Sequence, residues 1–176
     1  MGGFVALLRG INVGGHRKVP MAELRNLATG LGLEGARTYV ASGNLLFHSE
    51  AAAATLEQKL ERSLRDRFGF EVDVLVRSAA DWARYQAGNP MREESGRQPN
   101  LVMMTLGKRP ASDADVDALR ARASASERVE RVQDAIWTWF GDGAGRSKIG
   151  SGPPGKEVWT TRNWRTVATL GEMLDG

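Results

Sequence analysis

The order in which apolar periodicity changes along the chain constrains its fold more than any other feature. Phe4–Leu8 is a short apolar run and reads as a buried strand. Pro20 suits the first position of a helix, where its missing N–H has no partner to lose. Met21, Leu24, Leu27 and Leu31 then recur at helical spacing, with Glu23 in the first turn and Gly30 and Gly32 at the end. Thr38–Ala41 and Leu45–His48 flank Ser42-Gly43-Asn44, whose Gly-Asn pair tolerates positive φ and predicts a hairpin. Leu56, Leu60, Leu64 and Phe68 form an i,i+4 stripe, Glu61 and Arg65 pair on its wet face, and Gly69 stops the helix. Val72, Val74 and Val76 read as a further strand.

Strand, helix, strand, strand, helix, strand is the split βαβ order of a ferredoxin-like unit. A connecting helix over 79–87, with Trp82, and a polar segment over 89–100 follow; Pro90, Pro99 and Glu93-Glu94 make the latter the candidate linker. The order then restarts. Leu101–Leu106 is an apolar strand, and Ser112 with Asp115 forms a capping box ahead of Val116 and Leu119. Glu127–Val132 and Ala135–Phe140 form a second hairpin about Gln133-Asp134, and Gly141–Gly155 has no regular pattern. Trp164, Val167, Leu170 and Leu174 mark a terminal helix starting near Thr161. The expectation is an α+β fold of two duplicated ferredoxin-like halves, fused or intertwined: βαββαβ over 1–88, then βαββ-loop-α over 101–176, with no last strand.

At 176 residues such a chain buries roughly 70% of its unfolded surface. No run approaches the roughly 18 apolar residues of a membrane span, and the N-terminus lacks the basic region and cleavage site of a signal peptide. The expected location is the cytoplasm, with no membrane partner. Cysteine is absent, which removes disulfides, thiolate metal sites and thiol nucleophiles. Charge is unevenly placed. Residues 9–18 carry +3 with no acid and residues 143–165 carry +4, which leaves −4 for the remainder of a chain whose net charge is +3. Arginine outnumbers lysine nineteen to five.

The first basic stretch, Arg9-Gly10-Ile11-Asn12-Val13-Gly14-Gly15-His16-Arg17-Lys18, follows a strand and precedes a helix. It satisfies G-x-x-x-x-G, but His16-Arg17 stands where a phosphate loop of a nucleotide hydrolase needs Lys-Ser/Thr, so that activity is set aside. Two readings stay open: a structural loop whose glycines supply positive φ, and a backbone nest in which Arg9, Asn12, Gly14, Gly15, His16 and Lys18 surround an anion. The second stretch ends in Arg146-Ser147-Lys148, a fork, a hydroxyl and a point charge suited to phosphate or carboxylate. Thr161, Arg162 and Asn163 are placed at a helix start, where free N–H groups favour an anion; the bland reading of Thr161 and Asn163 is N-capping. These stretches are expected to converge on one electropositive pocket. Ser42 and Asn44 join the candidate set even though their turn is placed at the far end of the sheet from the first loop.

Other chemistries are poorly served. His16 and His48 are the only histidines, too few for a zinc site without carboxylate help, so no metal and no cofactor are expected. Ser147 has Lys148 beside it but no S-x-x-K spacing and no base. Asp113, Asp115 and Asp117 follow Ser112 and read as helix caps. Binding of a small anionic ligand is the leading function. Non-specific nucleic-acid binding is the alternative, its sheet-stacking form resting on Phe4–Leu8 with no aromatic ladder on Leu45–His48. An enzyme of unidentified reaction stays open, and neither catalytic residues nor oligomeric state can be read.

Leu7-Leu8-Arg9-Gly10-Ile11-Asn12-Val13-Gly14-Gly15, Thr38-Tyr39 with Ser42-Gly43-Asn44, Gly145-Arg146-Ser147-Lys148 and Thr161-Arg162-Asn163-Trp164 together resemble the bacterial family known as domain of unknown function 1697. The resemblance implies a duplicated ferredoxin-like α+β fold and no activity. Ala41 and Arg165 depart from the family pattern, in which Gln precedes the Ser-Gly-Asn turn and Asn follows the Trp.

Overall fold

The structure is a computed structural model that describes residues 1–150 and 152–176. The chain divides into two compact units, residues 1–83 with 170–176, and residues 84–169.

In the first unit, β1 (Gly2–Leu8), α1 (Met21–Gly30), β2 (Glu34–Tyr39), β3 (Asn44–Ser49), α2 (Ala53–Phe68) and β4 (Val74–Ser78) follow in order. The strands form an antiparallel sheet, β2-β3-β1-β4. Alternation puts Ala6, Leu8, Leu45, Phe47, Val74 and Val76 on one face, in a core with Leu24 and Ala28 of α1 and Leu56, Leu60 and Leu64 of α2. Phe4 stacks on Phe47 within this core, at 5.8 Å between ring centroids. Gly69 at φ 80° closes α2, and its N–H donates to the Arg65 carbonyl. Glu61, expected to pair with Arg65, accepts the Val74 N–H at 2.9 Å, and Glu57 one turn earlier accepts the Val76 N–H at 2.8 Å. Arg65 pairs with Asp66 and Glu71. Two carboxylates of α2 thus satisfy outward-facing amides on the edge strand β4.

The second unit repeats the arrangement. β5 (Val102–Gly107), α5 (Asp113–Arg120), β6 (Glu127–Val132), β7 (Ala135–Phe140) and β8 (Trp159–Asn163) give the antiparallel order β6-β7-β5-β8. Between β7 and β8, where the first unit has α2, the described residues make one turn of 3-10 helix at Ala144–Arg146. Three expectations change here. There is a last strand, because Trp159–Asn163 pairs with β5; its threonines favour a strand, but an edge position leaves them polar and without an apolar period. The terminal helix α6 (Trp164–Asp175) therefore starts after Asn163, not near Thr161. The segment 89–100 is not a bare linker: it contains α4 (Arg92–Arg97), and Asn89, Met91 and Ser95 are buried. The helix α3 (Ala79–Ala87) precedes it, as predicted.

The predicted capping box is present at α5. Ser112 Oγ accepts the Asp115 N–H, while Asp115 accepts the Ser112 N–H. Arg109 grips the same carboxylate with two bonds, of 2.7 and 2.8 Å, while its guanidinium lies 5.0 Å from the Trp159 ring centroid. Arg109 foremost, helped by the Ser112 N–H and hydroxyl, holds the Asp115 carboxyl well below the usual carboxylate range. A depressed carboxyl stabilises the fold above its unfolded pKa of about 4, and that contribution is lost as pH falls toward the folded value. Asp115→Asn should therefore cost about 1–3 kcal/mol at neutral pH, and its stability should fall less steeply than wild type below about pH 4, as read by denaturant melts across pH.

Candidate anion-binding site

The first basic loop is a small hairpin. Asn12 N–H donates to the Arg17 carbonyl, His16 N–H donates to the Val13 carbonyl, and Gly14 and Gly15 turn the chain at φ 58° and 78°. Residues 13–18 are all exposed. Asn12 ties down its base: Nδ2 donates to the Val19 carbonyl at 3.0 Å and the Ala41 carbonyl at 2.8 Å, and Oδ1 accepts the Val19 N–H at 2.8 Å. Arg9 pairs with Asp73 at 3.3 Å, and Arg17 donates to the Glu71 carbonyl with its guanidinium over the Phe70 ring. The polar side chain expected to reach a ligand, Asn12, is a structural clamp. His16 and Lys18 remain as exposed basic groups.

Ser42 and Asn44 lie next to this loop, not at the far end of the sheet. β3 runs antiparallel to β1 with Leu7 opposite Asn44, so the hairpin turn sits beside the end of β1, and Leu8 N–H donates to the Gly43 carbonyl. Gly43 has φ 89°, and a Cβ there would come within 2.8 Å of both Ile11 and Leu8. Asn44 is fully buried and donates to the Tyr39 carbonyl and to Ser42 Oγ. Both residues brace the turn against the loop. Phe4 and Phe47, turned into the helix-facing core, offer no stacking platform to bases.

Arg146, Ser147 and Lys148 belong to the second unit and line a cleft of about 740 Å³. Its other walls are the chain after α5, including Arg122 and Ser124, the start of β6 with Ser126 and Glu127, and Asp142 and Gly143. Gly141 lets these walls meet: its N–H donates to the Ser126 carbonyl at 2.9 Å, and a Cβ there would collide with that oxygen. Ser124 N–H donates to Glu127 at 2.7 Å, and Ser147 Oγ accepts the Ile149 N–H at 3.1 Å. Burial pushes the Glu127 carboxyl up, but the hydrogen bonds from Ser147 and Ser124 outweigh it, and the group titrates below its usual range. A carboxylate so held is a weak base, and the Ser124 N–H fixes its position. The cations differ: Arg146 and Lys148 are exposed, and among the described residues neither forms an ion pair. Arg122, Glu127 and Asp142 were not identified from sequence, since no local spacing links them to Arg146.

Thr161, Arg162 and Asn163 are not at an open helix N-terminus. Thr161 Oγ1 bonds Thr105 Oγ1 across β8 and β5 at 2.8 Å. Arg162 is buried, donates to Thr160 Oγ1 and the Thr161 carbonyl, and burial pushes its pKa down to about 10. Asn163 Oδ1 accepts the Thr166 N–H, which is the N-capping role. Among the described residues no three His, Asp or Glu side chains gather as metal ligands, and no helix is long and apolar enough to cross a membrane.

These features define a mixed α+β protein with two similar four-stranded sheets and, in the second unit, a cleft carrying cations that form no ion pair among the described residues. The chain belongs to the family described as protein of unknown function (DUF1697), which it matches over residues 1–137. Asp142–Lys148 lie beyond the matched range. A solved structure of a conserved bacterial protein from Streptococcus pneumoniae is similar along the whole length, with 27% identity, a TM-score of 0.76, and coverage of 100% of this chain and 99% of that one. Among curated proteins, none matches the sequence.

Proposed function

We propose that the protein binds a small anion bearing a phosphate or carboxylate in the cleft of the second unit, with Arg146 and Lys148 as its direct ligands. One observation carries this reading: the two cations stand exposed in a concave site without ion pairs among the described residues, while Glu127 of the same cleft accepts the Ser124 N–H. In the first unit's hairpin, Asn12 and Arg9 are already engaged by protein groups, which suits a small ligand less well. The common strand order of the two sheets supports reading the units as ferredoxin-like halves of a duplicated chain.

Calorimetric titration and thermal shift with inorganic phosphate, sugar phosphates, short carboxylates and a short oligonucleotide test it. A small anion at 100 times its Kd should stabilise the protein by about 2.7 kcal/mol. Stabilisation by the oligonucleotide alone, with a steep loss of affinity in salt, would instead favour nucleic-acid binding through the exposed basic residues.

A further inference from the structure

The same cleft holds charges of both signs that do not neutralise one another. Arg122, Arg146 and Lys148 line it together with Glu127 and Asp142. Arg122 is directed to backbone oxygens, donating to the carbonyls of Ala118 and Gly152 at 3.4 Å. Glu127 accepts the Ser124 N–H, and the Gly141 N–H bond to the Ser126 carbonyl ties the start of the Gly-rich segment to the start of β6. Asp142 is exposed on the Gly-rich wall, and among the described residues it makes neither an ion pair nor a hydrogen bond. On an ordinary surface, long cationic side chains beside an acid pair with it or stay solvated; here Asp142 and the two cations line one cleft without forming an ion pair among the described residues.

Resting on the anion-binding reading, we infer that the cleft selects a zwitterionic ligand, in which a phosphate or carboxylate meets Arg146 and Lys148 while an ammonium group a few bonds away meets Asp142. Asp142 is then the specificity-determining residue. A purely anionic ligand of the same size would face Asp142 as a like charge, whereas an ammonium group turns that repulsion into attraction. A phosphate and a carboxylate source share this chemistry, so both are compared.

The test is calorimetric titration at low ionic strength with two matched pairs: O-phosphoethanolamine against ethyl phosphate, and β-alanine against propionate. The wild-type protein should prefer the zwitterion of at least one pair by about fivefold, and the pair that shows the preference identifies the anionic group. Asp142→Asn, an exposed and nearly isosteric change, should bring the two members of that pair within about twofold and bind the plain anion no more weakly than wild type. Equal wild-type affinities within both pairs overturn the inference and leave the anion-binding reading standing. A preference that survives in Asp142→Asn overturns the role of Asp142. Failure of all four compounds to bind removes the reading on which the inference rests.

Discussion

Asn12→Ala is expected to destabilise the protein by about 3–5 kcal/mol. The side chain makes three hydrogen bonds to the main chain, joining the first loop to Val19 at the entrance of α1 and to Ala41 in the β2–β3 turn. Each is worth about 1 kcal/mol net, and Val19 is fully buried, so its amide and carbonyl lose partners that water cannot readily replace. Asn12 also sits at φ 55°, a conformation that costs alanine about 1–2 kcal/mol more than glycine. Asn12→Gly should therefore be milder than Asn12→Ala by about 1 kcal/mol while still well below wild type. Against a total stability of about 5–15 kcal/mol, urea midpoints will resolve the series. If both variants melt with the wild-type protein, the loop is not held by this clamp.

The largest effect on binding is expected from Arg146→Ala combined with Lys148→Ala. Hydrogen bonds to charged groups contribute about 1.5–3 kcal/mol each, so either change should weaken a phosphate ligand about tenfold or more, and the pair at least a hundredfold. Arg146→Lys keeps the charge but loses the planar fork, and should fall between wild type and Arg146→Ala. Because both side chains are exposed and unpaired among the described residues, the melting temperature without ligand should stay within about 2 °C of wild type. A double variant that binds phosphate as the wild type does would remove these residues from the site.

Much of the architecture was written in local pattern. β6 and β7 have the bounds of the hairpin expected over Glu127–Val132 and Ala135–Phe140 about Gln133-Asp134, and the Ser112/Asp115 box sits at the start of α5 as its spacing dictates. β8 was missed because an edge strand of threonine, arginine and asparagine carries no apolar period; its pairing with β5 supplies what propensity alone does not. The position of the Ser42–Asn44 turn was misjudged because strand direction, not composition, decides which end of a sheet a turn occupies. In the site, Arg146-Ser147-Lys148 stood out by composition. Glu127 and Asp142 did not, since one begins β6 and the other follows β7, and only the hairpin register and the absence of a side chain at Gly141 bring them together. Asn12 illustrates the opposite error. An asparagine among glycines looks like a ligand donor, yet the nearest unsatisfied groups were those of its own backbone neighbourhood.

The most direct test of the anion cleft is a backbone amide chemical-shift titration of the protein labelled with nitrogen-15, using inorganic phosphate and O-phosphoethanolamine. Saturable shifts confined to residues 121–127 and 142–149 are the predicted result. Saturable shifts centred on residues 9–18 instead, or none that saturate, would contradict the placement of the site.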